Sequence, residues 1–188
     1  MQDVYQLEPS TQIDRAQSYI RAYPHIMASL KSRKVLDEQD FVCAAHMVYG
    51  WMPTILEIHA DESLSVSQGV ALLNKARAEG CLSEVEIGQL ARLVNRSVVG
   101  ASKLLHFVNP EAFAIWDSRI YRFMHLKVPH QYRVNNAAEY GKYLGRLQQL
   151  RKDDRFVGFH QSVNEKMGYA VSGLRALEVV MFVNGVER

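Results

Sequence analysis

The chain of 188 residues contains little cysteine and no long hydrophobic run. Its two cysteines, Cys43 and Cys81, lie far apart and lack the paired spacing of a zinc or iron–sulfur site, so we expect buried free thiols, with a disulfide as the alternative, and no metal. No segment reaches the roughly 18 apolar residues of a membrane-spanning helix. The N-terminal residues lack the basic and apolar regions of a signal peptide, which predicts a cytoplasmic protein.

Low-complexity tracts, internal repeats and glycine-rich phosphate loops are also absent from the sequence. We therefore expect no bound nucleotide and no other cofactor. The length suits one domain with a substantial core. We predict a single helical domain over residues 1–188, or two lobes, 1–82 and 83–188, with the site between them.

The charge distribution is more informative than the net charge of +2. Residues 96–155 hold 11 Lys and Arg against 5 Asp and Glu, whereas residues 1–95 hold 8 against 12. A basic third of the chain is typical of a protein that contacts phosphates. The alternative is a solvated helical surface with a chance asymmetry.

Helical periodicity dominates the chain and predicts an all-α fold of eight to ten helices. Residues 41–49 are apolar nearly all round, which is typical of a central helix. Ser83 and Glu86 form a capping box that opens a helix over residues 85–94. Another helix is expected from Ser10 or Thr11 to about Leu30, interrupted or bent at Pro24.

Residues 95–124 contain the segment that points to a function. We expect a tight turn at Val99, Gly100 and Ala101, because Gly100 has no Cβ and suits a chain reversal. A turn feeding a helix leaves backbone N–H groups free to hold an anion, and Lys103 adds a cation beside it. Asp117 then begins the next helix, where its carboxylate can face the same cleft.

These residues resemble the helix-hairpin-helix DNA glycosylase superfamily. The resemblance lies in two strings, Val99-Gly100-Ala101-Ser102-Lys103 and Trp116-Asp117-Ser118-Arg119-Ile120-Tyr121-Arg122. The second string matches the family better. In the first string Gly100 stands alone where two glycines are usual, and Ser102 rather than Lys103 occupies the place of a lyase lysine. The family is all-helical and acts on double-stranded DNA.

The resemblance implies roles for particular residues. Asp117 would stabilise the positive charge on the sugar or activate water, while Lys103 would contact a phosphate or act as an amine nucleophile. The alternative role for Asp117 is a purely structural one, as the N-terminal cap of a helix. The residues expected to contact DNA are Val99, Gly100, Ala101, Ser102, Arg119 and Arg122.

A pocket for an extruded base needs side chains that stack on it. Large aromatic side chains and a flexible methionine cluster at the end of the apolar helix. Trp116 stands directly before Asp117. The expected base pocket comprises His46, Tyr49, Trp51, Met52 and Trp116. The alternative for Trp51 and Met52 is that they fill the core where helices diverge.

The leading hypothesis is a DNA glycosylase that hydrolyses the N-glycosidic bond of a damaged or modified base, without strand cleavage. It would serve base-excision repair or, given the divergence from common repair members, antiviral defence against modified bases of phage DNA. A non-catalytic helix-hairpin-helix DNA-binding module is the main alternative, with Asp117 as a cap. A helical protein-interaction domain that binds no nucleic acid is the third possibility.

Overall fold

The computed structural model describes residues 2–52 and 54–186. Over these residues the chain forms eleven α-helices, one 3-10 turn and, as its β structure, isolated bridges. The helices are α1 Val4–Leu7, α2 Ser18–Lys31, α3 Glu38–Trp51, α4 Val66–Glu79, α5 Glu84–Leu93, α6 Val98–Val108, α7 Ser118–His125, α8 Gln131–Val134, α9 Ala137–Leu150, α10 Phe156–Met167 and α11 Gly173–Asn184; the 3-10 turn is Glu8–Ser10.

The all-α prediction of eight to ten helices is confirmed, since nine of the described helices have eight or more residues. The predicted capping box also forms: Glu86 N donates to Ser83 Oγ at 3.3 Å, and Ser83 N donates to Glu86 Oε2 at 2.8 Å. Helix α3 is central as expected, with Phe41, Ala44 and Val48 fully buried. Within the described residues, no helix has the length and apolar character needed to cross a membrane.

Helix α2 begins at Ser18, later than predicted, and continues through Pro24. A proline in a helix leaves the carbonyl four residues earlier without its usual donor. Here that carbonyl belongs to Ile20, and the Tyr169 hydroxyl donates to it at 2.7 Å. A side chain from after α10 therefore replaces the bond that Pro24 removes, and the helix survives.

The expectation of buried thiols is wrong, because Cys43 and Cys81 are both exposed and free. Cys43 lies on an outward-facing position of α3, beside the buried Ala44 and Ala45, and Cys81 follows the end of α4. Periodicity did not distinguish this face, since α3 is apolar nearly all round.

A buried polar network supports the segment that leads to Asp117. His106 on α6 donates from Nδ1 to the Phe113 carbonyl at 2.8 Å and accepts at Nε2 from the Tyr23 hydroxyl at 2.8 Å. Complete burial lowers the pKa of His106 to about 3, with the Arg175 guanidinium acting in the same direction. The imidazole is therefore neutral, and it ties α2, α6 and the start of the segment after α6 together.

Candidate functional site

The chain reverses between α5 and α6 at Asn95 and Arg96, whose φ angles are 52° and 50°. Asparagine tolerates this left-handed conformation better than most residues. The Asn95 side chain accepts from Glu57 N at 2.7 Å and donates to the Ile55 carbonyl at 2.8 Å, which fixes the turn against a neighbouring segment. The predicted turn at Val99, Gly100 and Ala101 is therefore wrong by a few residues, since these three lie in the first turn of α6.

Gly100 does not reverse the chain; it allows two helices to come into close contact. A Cβ at this position would lie 1.8 Å from the Tyr49 hydroxyl oxygen, which is far inside any allowed contact. Tyr49 in turn donates to the Val94 carbonyl at 3.2 Å, directly before the reversal. The glycine thus allows α6 to lie against α3.

The N-terminus of α6 offers fewer free donors than the sequence suggested. Val98 N donates to Asn135 Oδ1 at 2.6 Å, and Gly100 N donates to Ser97 Oγ at 3.1 Å. Ala101 N donates to the Ser97 carbonyl at 2.9 Å. These N–H groups are paired inside the protein, so backbone capture of an anion here is weaker than expected.

Ser102 and Trp116 position the residue that follows them. Ser102 is fully buried; its Oγ accepts from Trp116 N at 3.1 Å and lies 3.3 Å from the Trp116 carbonyl. The Trp116 indole is fully buried as well and donates to the Val134 carbonyl at 2.8 Å. Neither side chain lines the cavities described below, and together they anchor the backbone at Asp117.

Asp117 caps α7 as predicted. Its Oδ1 accepts from Arg119 N at 2.9 Å and from Ile120 N at 3.0 Å. No hydrogen bond to Oδ2 and no cation within 4.0 Å of the carboxylate occurs among residues 2–52 and 54–186. One oxygen is therefore fixed by the helix, and the other has no partner in the described part of the protein.

A wide cavity of about 520 Å³, the outer cavity, opens beside the turn at Asn95 and Arg96. Its wall combines this turn, the start of α6, the start of α7 and the segment that carries α8. The lining residues are Tyr49, Met52, Thr54, Asn95, Arg96, Ser97, Val99, Gly100, Asp117, Ser118, Pro129, Gln131, Val134 and Asn135.

A smaller cavity of about 170 Å³, the inner cavity, lies next to it. It shares Met52 and Asp117 with the outer cavity, so Asp117 stands where the two meet. Its lining residues are Tyr19, Trp51, Met52, Lys103, Ile115, Asp117, Arg175, Glu178 and Phe182. The structure thus brings Asp117, Lys103 and Trp51 to one cleft.

Lys103 belongs to the inner cavity rather than to the turn. Its Nζ lies over the Trp51 ring, 5.9 Å from the ring centroid. Burial lowers the pKa of the Lys103 amine, and the Asp117 carboxylate opposes that shift. An amine with a lowered pKa is a better nucleophile near neutral pH than an ordinary lysine.

Arg175 and Glu178 on α11 are charged residues of the inner cavity that lie outside the predicted site. The Arg175 guanidinium donates from Nη1 to Glu178 Oε2. Burial raises the pKa of Glu178 to about 7, although the Arg175 guanidinium acts in the opposite direction. The sequence does carry a signal for them, because they are the only charged residues in the otherwise apolar helix α11.

Several predicted site residues lie elsewhere. His46 is exposed and lines neither cavity; its Nδ1 donates to the Val42 carbonyl at 2.8 Å within α3. Arg119 lines neither cavity; its guanidinium stacks 4.5 Å from the ring centroid of Phe182, which lines the inner cavity. Arg122 donates to the Gly185 carbonyl at 2.9 Å, towards the C-terminal segment.

The chain was also compared with known proteins. No family model, no curated protein and no solved structure matches it. Any functional conclusion therefore rests on the geometry of the two cavities and on the residues of the chain itself.

Proposed function

We propose that this protein is a DNA N-glycosylase that hydrolyses the bond between deoxyribose and a damaged or modified base. In this proposal the outer cavity receives a DNA strand, and the extruded base enters the inner cavity. The observation that carries it is the position of Asp117, whose carboxylate stands at the boundary of the two cavities with one oxygen unpartnered in the described protein.

The position suits the chemistry of glycosidic cleavage. When the C1′–N bond breaks, its electron pair leaves with the base, and positive charge develops on the sugar. A preorganised carboxylate beside the sugar stabilises that charge. Asp117 Oδ1 is held by two backbone N–H groups, so the free oxygen is fixed in place before the reaction. Water then adds to C1′ and gives up a proton, and the departing base takes up a proton.

Lys103 provides a second route to the same bond cleavage. Its amine would add to C1′ in place of water, forming a covalent adduct that leads to strand cleavage. Its place in the inner cavity and its lowered pKa are compatible with this role. We expect hydrolysis with the strand left intact. Borohydride reduction distinguishes the routes, because it traps only an amine adduct as a stable protein–DNA complex.

Binding of the strand is assigned to polar and basic groups around the outer cavity. Arg96 and Gln131 line the cavity and are exposed. The adjoining residues 125–133 carry His125, Lys127, His130 and Arg133 on the surface, and the Tyr132 ring is 76% exposed. Such groups suit phosphate contacts and stacking, and they predict duplex binding that weakens as salt increases.

The test uses duplex oligonucleotides that each carry one damaged base or one phage-type modified cytosine. Wild-type protein is expected to release at least one of these bases. Asp117→Asn should lower release about 10²- to 10⁴-fold, the range for loss of one preorganised catalytic group. Asn still caps a helix, so the variant should remain folded. Asp37→Asn, which changes the capping aspartate of α3, is the matched control and should keep full activity.

The alternative function is a DNA-binding module without catalysis. The observation that favours it is the complete capping role of Asp117 Oδ1, which explains the residue without any reaction. This alternative predicts salt-sensitive duplex binding, no abasic product, and no effect of Asp117→Asn on binding. Base release by wild-type protein that Asp117→Asn abolishes would exclude it.

A further inference from the structure

Two charged side chains of the inner cavity, Arg175 and Glu178, take no part in the proposed reaction at Asp117. The side chains of Arg175 and Glu178 are 3% and 1% exposed. They bond to each other through Arg175 Nη1, but Arg175 Nε is buried and has no hydrogen-bond partner in the described protein. Both residues line the cavity.

Such an arrangement is unfavourable for stability alone. A buried donor without an acceptor retains its desolvation penalty, and a buried ion pair is often no better than apolar side chains of the same volume. The guanidinium also stands 5.0 Å from the Tyr23 ring centroid and 6.0 Å from that of Trp51, so aromatic faces surround it. A polar ligand in the cavity would give the guanidinium a further hydrogen-bond partner.

The size and walls of the inner cavity suit a small planar ring. Its volume of about 170 Å³ is close to that of an apolar cavity of about 150 Å³ that accommodates benzene. The Trp51 indole is held by donation to the Tyr19 carbonyl at 2.8 Å and by an edge contact with Phe107. Its fixed ring and Phe182 supply aromatic walls.

We propose that the inner cavity binds the pyrimidine ring of an extruded nucleotide, with Arg175 as hydrogen-bond donor and Glu178 as acceptor at the polar edge of the ring. Delivery of the base to the cavity rests on the glycosylase function proposed above. A cavity of single-ring size favours pyrimidines over purines, which carry a second ring.

The chemistry of pyrimidine edges matches this pair of side chains. Cytosine presents an amino donor beside ring and carbonyl acceptors, and uracil presents a ring N–H donor between two carbonyl acceptors. In each case the carboxylate accepts from the base N–H while the guanidinium donates to an oxygen or nitrogen acceptor. The shared ligand is therefore a pyrimidine, and the experiment separates its amino and keto forms.

The test is ligand-observed NMR saturation transfer with free cytosine, uracil and adenine as probes on the full-length protein. We expect signals from cytosine, uracil or both, and none from adenine. Glu178→Gln keeps the side-chain volume but replaces a charge-assisted hydrogen bond to the base N–H with a neutral one, and it should weaken pyrimidine binding about tenfold, equivalent to about 1.4 kcal/mol. The exposed Glu62→Gln is the matched control and should leave binding unchanged.

A second variant keeps the proposal testable if Glu178→Gln fails to fold. Phe182→Ala removes an aromatic wall at a half-buried position and should allow adenine to bind. Equal binding of adenine and pyrimidines by wild-type protein, or no gain of adenine binding in Phe182→Ala, would overturn the pyrimidine proposal. Pyrimidine binding without base release from any duplex would uphold the pocket and overturn the glycosylase function, so the two failures are distinguishable.

Discussion

Asp37 and Asp117 each stand directly before a helix and accept a backbone N–H in its first turn, yet their surroundings differ. The Asp37 carboxylate caps α3 through Asp40 N at 2.8 Å and faces solvent. The Asp117 carboxylate caps α7 and stands between two cavities. Capping accounts for the hydrogen bonds of one carboxylate oxygen in each residue. Only Asp117 also lines two cavities, and this difference is the reason to propose a reaction there.

The largest expected effect on stability comes from Gly100→Ala. The added Cβ would overlap the Tyr49 hydroxyl, so α6 must move away from α3 and from the cavities it lines. We expect a loss of about 3 kcal/mol in the free energy of unfolding, measured by urea denaturation. Gly145→Ala in α9 meets open space and should stabilise the protein by about 0.5–1 kcal/mol. Equal stability of the two variants would contradict the proposed contact.

Low pH should destabilise the folded protein, because His106 is buried in its neutral form next to the segment that leads to Asp117. Its folded pKa of about 3 lies below the value of about 6.5 for the unfolded chain, so between these values the unfolded chain binds more protons. The stabilisation is complete above pH 6.5 and decreases as pH falls towards 3. The contribution of His106 to the free energy of unfolding should therefore fall by about 2 kcal/mol between pH 7 and pH 5.

The measurement is the pH dependence of unfolding for wild-type protein and for His106→Asn. The variant keeps a donor near the Phe113 carbonyl but does not titrate, so its stability should fall less between pH 7 and pH 5. Parallel stability profiles for the two proteins would show that His106 is not buried in a neutral state.

The smallest expected effect is the cost of removing a cap. Asp117→Ala and Asp37→Ala should each destabilise the protein by about 1 kcal/mol, while the Asn variants should change stability by a few tenths, because asparagine caps well. Thermal unfolding of the four variants checks this. A much larger loss for Asp117→Asn than for Asp37→Asn would mean that the Asp117 charge stabilises the fold and not only a bound sugar.

The comparison also shows what the sequence determines locally. The capping of α7 by Asp117 and the capping box at Ser83 depend on residues within three positions of each other, so their pattern is visible in the sequence. The chain reversal was misplaced because Gly100 suggested a turn, while the left-handed residues are Asn95 and Arg96. The need for glycine at 100 comes from a tyrosine on another helix.

The inner cavity could not have been predicted from local patterns. Its residues come from α2, α3 and the residue that follows α3, from α6 and α11, and from the segment before α7, and they meet only when these elements pack. Trp51 and Lys103 were selected for their chemistry, but nothing in their spacing placed Arg175 and Glu178 beside them. Conversely, Trp116 and Ser102 were predicted to face DNA or a base, whereas burial assigns them to positioning Asp117.

The central claim is that the Asp117 carboxylate stabilises positive charge on a deoxyribose. Duplex DNA with a cationic pyrrolidine in place of one sugar imitates that charge, and a neutral tetrahydrofuran of the same shape is its control. We predict that wild-type protein binds the pyrrolidine duplex at least about tenfold more tightly than the tetrahydrofuran duplex, and that Asp117→Asn loses this preference. Equal affinity of wild-type protein for the two duplexes would contradict the account.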